Sequence, residues 1–166
     1  MTKTLLWALF PLLFASCGYH LGGLKKKSLA GMETCRVEMF ANHTTQPQVS
    51  RLLTTSLANA LQKDGTFRLA SSPDFTIGGT VTQVRRSVLT TDTLDTYRSS
   101  EIGLTVVVNY TLTDNRTGKV IGRGTAQGMA GYFNNNDSNM QTARENAISY
   151  AARLAADSIV RDLTLP

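Results

Sequence analysis

The architecture of this chain follows from the stretch Ile102-Gly103-Leu104-Thr105-Val106-Val107-Val108-Asn109-Tyr110-Thr111-Leu112. Every second residue is apolar, six times in succession, which is the period of a β-strand that buries one face. A sheet with one apolar face needs a second layer to cover that face. We therefore predict that this stretch is the central strand of a two-layer fold.

Strands are predicted on both sides of this central one. Phe75 to Leu89 alternates in the same way, although the alternation slips near Gln83-Val84, which indicates a β-bulge. After the turn residues 114–118, the stretch 119–133 forms the partner strand. This partner strand carries four glycines, so it is either curved or closely approached by another element. The glycines are Gly122, Gly124, Gly128 and Gly131.

The chain before residue 75 adds two shorter strands, 34–41 and 66–70. In the first of these, Cys35, Val37 and Met39 are expected on one face. The alternate residues Arg36, Glu38 and Phe40 are expected on the other.

Two amphipathic helices complete the predicted fold. The first follows a capping box formed by Thr45 and Gln48 and ends at Gly65, and the second spans about residues 139–163. We predict an α+β fold, a two-layer sandwich with two helices packed on one face of a mostly antiparallel or mixed sheet of four to five strands.

The first residues have the proportions of a secretory signal. Lys3 precedes an apolar run that is too short to span a bilayer, and the small pair Ala15-Ser16 stands directly before Cys17. This arrangement resembles the bacterial lipobox, in which the cysteine thiol is diacylated and becomes the first residue. An ordinary cleaved signal is the alternative. We expect residues 1–16 to be a lipoprotein signal peptide, 17–33 a lipidated N-terminus and tether, and 34–166 a single α+β domain.

Composition limits the partners. The chain has 17 Lys and Arg residues against 12 Asp and Glu residues, a mild positive excess. This excess suits phosphate-bearing surfaces, while an exported compartment argues against nucleic acid. If Cys17 carries the lipid, Cys35 is left alone in an oxidising compartment, where an exposed thiol would be a liability. We therefore expect Cys35 to be buried as a small apolar residue.

No catalytic or metal-binding motif stands out. The two histidines, His20 and His43, lack further ligands at metal spacing, and no nucleophile elbow or phosphate-binding loop occurs. We therefore expect no enzyme activity, no catalytic residue, no metal and no cofactor other than the lipid on Cys17.

Arginines are grouped near the tip that joins the two long strands. Arg85 and Arg86 precede the tip and Arg98 follows it. The planar guanidinium group suits phosphate oxygens, so the three residues are candidates for binding an anionic ligand. Cations at sheet tips also serve to keep strand edges soluble, and the residues alone do not separate these two roles.

The start Cys17-Gly18-Tyr19-His20-Leu21 is similar to that of the LptE family of lipopolysaccharide-assembly lipoproteins. The order of elements and the pair Tyr97-Arg98 before the long strand fit the same resemblance. The resemblance implies an outer-membrane lipoprotein, anchored on the periplasmic side by diacylglycerol and an N-acyl chain on Cys17. It further implies a non-catalytic plug and assembly partner of the lipopolysaccharide-transport barrel LptD that binds lipopolysaccharide for insertion into the outer leaflet. Arg98, with Arg85 and Arg86, is then the expected phosphate site.

Two other roles remain open at this point. The first strand, its turn, the following helix and the segment Phe75 to Val81 also look like the curli-secretion and peptidoglycan-synthase-activator lipoproteins. A structural outer-membrane lipoprotein without a dedicated client is the third possibility.

Overall fold

The computed structural model of the protein describes residues 25–90, 100–134 and 139–165. A short 3-10 helix at Lys27–Leu29 is followed by six strands and two α-helices. In chain order these are β1 (Thr34–Val37), β2 (Ala41–Asn42), α1 (Val49–Asp64), β3 (Arg68–Leu69), β4 (Phe75–Thr90), β5 (Ser100–Asp114), β6 (Val120–Asn134) and α2 (Met140–Thr164).

The strands form one mixed sheet in the order β3-β1-β4-β5-β6, with β2 also paired to β4. The three long strands β4, β5 and β6 are antiparallel, while β1 is parallel to β3 and to β4. Both helices pack on the same face of the sheet, and α2 covers β5 and β6. The predicted α+β fold with two helices on one sheet face is confirmed, with six strands where four to five were expected.

The alternation in β5 is confirmed residue by residue. Its six apolar side chains all point into the layer between sheet and helices, and each is at most 3% exposed. The buried set is Ile102, Leu104, Val106, Val108, Tyr110 and Leu112. Because no helix of the described residues packs on the other face of the sheet, the intervening side chains of β5 lie on an open face.

Several bulges shift the pattern of strand pairing, and two of them bear on the sequence predictions. In β4 the predicted slip is confirmed: the pairing with β5 shifts between Val81 and Gln83. A second bulge, which we did not predict, separates β1 from β2: the chain takes four steps from Val37 to Ala41 while β4 takes three, from Ile77 to Thr80. An extra residue moves the following side chains to the opposite face.

This second bulge corrects the face predicted for residues 34–41. Met39 was expected beside Cys35 and Val37, but it is 66% exposed, and Phe40 is buried in its place. The Phe40 ring lies against Gly79, where a Cβ atom would come within 2.9 Å of the ring.

The capping box predicted at Thr45 and Gln48 is also wrong. Among the described residues no side chain caps the start of α1. Asn42 orders the preceding loop instead, since its side-chain oxygen accepts a hydrogen bond from the Thr44 N–H at 2.9 Å and its amide donates to the Gln46 carbonyl at 2.8 Å. The helix end is as predicted, because Gly65 has φ 74° and donates its N–H to the Leu61 carbonyl.

The packed domain begins before residue 34, where the tether was expected to end. Leu29 is fully buried and Met32 is 6% exposed, so the segment before β1 contributes to the core. The described residues contain no helix that is long and apolar enough to cross a membrane.

Candidate functional site

An open groove lies at the end of the sheet where β4 ends and β5 begins. Its volume is about 670 Å³, and we call it the hairpin-end groove. It is bounded by the sheet, by the loop before α1 and by the first turns of α2. The lining residues are Thr45, Gln46, Val84, Arg86, Leu104, Tyr132, Met140, Gln141, Arg144, Glu145 and Ile148.

Helix α2 begins at this groove, and α1 begins beside it. The start of α1 lines a small pocket together with Glu145 and Ile148 of α2. Near the C-terminal end of α1, Lys63 lines another pocket together with Asp157 of α2. The two helices therefore run in the same direction, with their N-terminal ends together. Neither helix has an acidic residue in its first turn. Helix N-termini carry about half a positive charge each, so this end of the domain favours anions.

The three arginines singled out from the sequence are not equivalent. Arg86 pairs with Leu104 across the sheet, on the helix-covered face, and it lines the groove. Arg85 pairs with Thr105, so it points to the open face of the sheet. The structure thus brings only Arg86 to the groove. Arg98 lies outside the described residues.

Arg144 is a groove residue that the sequence analysis missed. It lies in the second turn of α2 and faces the same space as Arg86. A helical projection of α2 could have found it, because Arg144 lies four residues before Ile148 and four after Met140, on a stripe that is otherwise apolar.

The rest of the groove is mixed. Val84, Leu104, Tyr132, Met140 and Ile148 give it an apolar part, whereas Thr45, Gln46 and Gln141 are polar and Glu145 adds one carboxylate. Two guanidinium groups outnumber the one carboxylate, and with the nearby helix N-termini and the apolar part of the lining they suit an amphipathic ligand with an anionic group.

The described chain enters the domain at the opposite end. The Lys26 N–H donates to the Leu163 carbonyl at 3.1 Å, and its ammonium group lies 3.3 Å from the Asp162 carboxylate. The Tyr110 hydroxyl donates a hydrogen bond to the same carboxylate, and burial, followed by this bond, raises the pKa of Tyr110 above its ordinary value. The 25 residues of α2 span about 37 Å between this end and the hairpin-end groove.

Of the two cysteines, only Cys35 lies within the described residues. Cys35 is fully buried in β1 and makes no disulfide, as expected, and burial raises the pKa of its thiol to about 11. A thiol with that pKa is protonated at neutral pH, which makes it a poor nucleophile. Cys17, the expected lipidation site, lies outside the described residues.

Comparison with known proteins identifies one family. The model of the family described as LptE, lipopolysaccharide-assembly, matches residues 32–163, which is most of the chain. This match favours the lipopolysaccharide-assembly resemblance over the curli-secretion and synthase-activator alternatives. No curated protein sequence matches the chain significantly.

Solved structures share the fold at low sequence identity. A lipoprotein from Caulobacter crescentus CB15 is 20% identical, with a TM-score of 0.52 over 76% of this chain and 88% of that one. A minor lipoprotein from Acinetobacter baumannii is 18% identical, with a TM-score of 0.51 over 80% and 88% of the two chains. A protein from Xanthomonas campestris is 14% identical, with a TM-score of 0.51 over 78% and 81%. At these identities the likeness concerns the fold alone.

Proposed function

Because the chain belongs to the LptE family of lipopolysaccharide-assembly proteins, we propose that it is a non-catalytic, lipid-anchored plug and assembly partner of an LptD-like outer-membrane barrel. In this role it binds lipopolysaccharide and presents it for insertion into the outer leaflet. The hairpin-end groove is the single observation that carries the lipid-binding part of the proposal.

The groove fits the chemistry of this ligand. The lipid A part of lipopolysaccharide combines phosphate groups with acyl chains, so its binding site needs cations beside an apolar surface. Arg86 and Arg144 supply the cations, and the apolar residues of the lining offer a place for part of an acyl chain. An arginine–phosphate contact of this kind contributes about 1.5–3 kcal/mol. We propose Arg98 as a further phosphate ligand.

The two ends of the domain are suited to different tasks. The chain enters beside the C-terminal end of α2, and the groove lies at the N-terminal end. A lipid on Cys17 would therefore hold one end of the domain towards the membrane while the groove extends away from it. Acyl chains contribute roughly 0.8 kcal/mol per buried methylene, and more than one chain makes the anchoring stable.

The anchor is tested by Cys17→Ser. Without the thiol the protein cannot accept the diacylglycerol, so we expect an unprocessed or unanchored protein in membrane fractionation. A mature-length mutant that stays in the outer membrane would contradict lipidation at Cys17.

The partner is tested by purifying the affinity-tagged protein from outer membranes. We expect a barrel of large mass to copurify with it in a defined ratio. A ring formed by the protein alone, or a peptidoglycan synthase as the partner, would instead support the curli-secretion or synthase-activator alternative. If no barrel, ring or synthase is found, the result supports the third possibility, a structural outer-membrane lipoprotein without a dedicated client.

The contribution of Arg98 is tested separately by Arg98→Glu. We expect the affinity for lipopolysaccharide to fall at least tenfold, more at low salt than at high salt, because charge-assisted contacts are screened by salt. Equal affinities of the variant and the unaltered protein would remove Arg98 from the site.

A further inference from the structure

One edge of the sheet has no partner among the described strands. β6 pairs with β5 alone, so the other side of this 15-residue strand leaves its backbone N–H and C=O groups without a strand neighbour. Proteins usually protect such an edge with lysine, proline or a bulge, because it is a template for another extended chain. Between residues 124 and 133, β6 contains no proline and no charged residue.

A groove runs beside this edge. Its volume is about 590 Å³, with the end of β6 as one wall and the first half of α2 as the other. We call it the β6–α2 groove. All its lining residues are uncharged: Ala130, Gly131, Tyr132, Phe133, Asn139, Met140, Ala143, Asn146, Ala147 and Tyr150.

The α2 wall is a regular stripe. Met140, Ala143, Ala147 and Tyr150 recur at three- and four-residue intervals, so they share one side of the helix. The two alanines leave space between the larger residues at either end. Tyr150 and Met140 are 48% and 46% exposed, so large apolar surface flanks the free edge.

We infer that the β6–α2 groove binds an extended, uncharged peptide segment, which adds to β6 as a further strand of the sheet. In this mode the main chains supply the hydrogen bonds, and alternate side chains of the segment supply the specificity. Side chains on one side of the segment enter the space beside Ala143 and Ala147. Those on the other side lie next to Met129 and Phe133, which are 52% and 59% exposed on the open face.

The size and charge of the groove favour a single segment over a second copy of this chain. Ten residues line the groove, whereas a stable protein–protein interface takes about 20–30 residues from each side. None of the lining residues carries a charge that could pair with a charged side chain, so the lining favours an uncharged segment.

The position of α2 also disfavours a second copy. α2 lies directly over β6, since a Cβ atom on Gly128 would overlap the backbone of Ala151 and Ala155. A second copy paired antiparallel through its own β6 would carry its α2 on the same face. Near Gly128 the two helix axes would then lie about one strand spacing apart, ~4.8 Å, whereas packed helices need 8–10 Å.

The binding test uses the full lipidated protein in detergent and three capped, fluorescein-labelled eight-residue peptides. In these peptides threonine alternates with alanine, valine or leucine. We expect at least one peptide to bind saturably in fluorescence anisotropy, and the same peptide with alternate backbone amides methylated to bind at least tenfold more weakly. Hydrogen–deuterium exchange should slow in β6 when the peptide is bound.

Two matched variants locate the binding. Ala143→Arg fills the groove and should weaken the peptide at least tenfold, while Thr142→Arg, at an exposed neighbouring position outside the lining, should leave the affinity unchanged. Circular dichroism confirms that both variants are folded. The inference is overturned if none of the peptides binds saturably, or if methylation or Ala143→Arg has no effect. A peptide-free dimer that Ala143→Arg dissociates would assign the groove to a second copy and overturn it as well.

This test is independent of lipopolysaccharide and of the barrel. A protein that binds the peptide but copurifies with no barrel would support this inference and contradict the proposed function. A protein that copurifies with the barrel but binds none of the peptides would support the proposed function and overturn this inference.

Discussion

Gly128 of β6 lies directly under Ala151 of α2, so closely that a Cβ atom on Gly128 would overlap the Ala151 carbonyl oxygen. Glycine at this point lets the helix backbone settle onto the strand. Ala151 and Ala155 continue the close approach from the helix side, and both are fully buried. The distance between the two layers at the β6 end of the sheet is therefore set by residues with little or no side chain.

Gly128→Val should separate these layers. The added side chain meets helix backbone, which cannot rotate away as a flexible side chain can, so we expect a loss of about 3 kcal/mol in the free energy of unfolding, the upper end for overpacked sites. Gln127→Val, at the adjacent exposed position on the open face, is the control. It should change the free energy of unfolding by about 0.5 kcal/mol or less. Urea denaturation of both variants measures the difference. Similar stabilities would mean that α2 does not rest on Gly128.

The strong patterns in the sequence were sufficient for the main architecture. The six-fold alternation in β5, the bulge in β4 and the Gly65 helix end are all local signals, and each is confirmed. The four glycines of the partner strand also indicated close approach correctly, because Gly128 meets α2 and Gly124 lies under the Tyr110 ring.

What the sequence could not provide depends on pairing between distant residues. The bulge between β1 and β2 is visible only when Val37 and Ala41 are matched to their partners in β4, so alternation alone placed Met39 and Phe40 on the wrong faces. The burial of Leu29 and Met32 was hidden by the lysines and glycines around them, which suggested a loose tether.

The site was predicted only in part for the same reason. Arg85 and Arg86 are adjacent in sequence, and only the register with β5 assigns them to opposite faces. Arg144 joins Arg86 through tertiary packing, and no local motif links the two residues.

A pair of substitutions tests the register of the central strand. Val106 is fully buried, whereas its neighbour Val107 is half-buried on the open face. Val106→Asp puts an unpaired carboxylate into the core, so we expect it to cost several kcal/mol of unfolding free energy. Val107→Asp leaves its carboxylate in contact with water and should cost clearly less. Thermal unfolding of the two variants gives the comparison, and the opposite ranking would mean that the alternation is in the wrong register.

Acid should weaken the link between β1 and the loop before β4. The Asp74 carboxylate accepts hydrogen bonds from the backbone N–H groups of Glu33 and Thr34 and from the Thr34 hydroxyl, at 2.9–3.0 Å. These bonds lower the pKa of Asp74 from 3.8 to about 2. Because the pKa is depressed in the folded state, this stabilisation is present above about pH 4 and is lost as the pH falls towards 2.

The measurement is urea unfolding of the unaltered protein and of Asp74→Asn between pH 6 and pH 2.5. The amide does not titrate in this range, so the stability difference between the two proteins should shrink as the pH falls. A difference that stays constant or grows towards low pH would contradict the assigned role of Asp74.

The central claim is that lipopolysaccharide binds in the hairpin-end groove, on the helix-covered face of the sheet. Arg86→Glu and Arg85→Glu change the net charge equally at adjacent positions, but only Arg86 lines the groove. The decisive measurement is the lipopolysaccharide affinity of both variants and the unaltered protein at one salt concentration. We predict that Arg86→Glu weakens binding at least tenfold, as expected for a lost contact of 1.5–3 kcal/mol, while Arg85→Glu changes it less than threefold. Equal effects of the two substitutions, or a larger effect of Arg85→Glu, would contradict the claim.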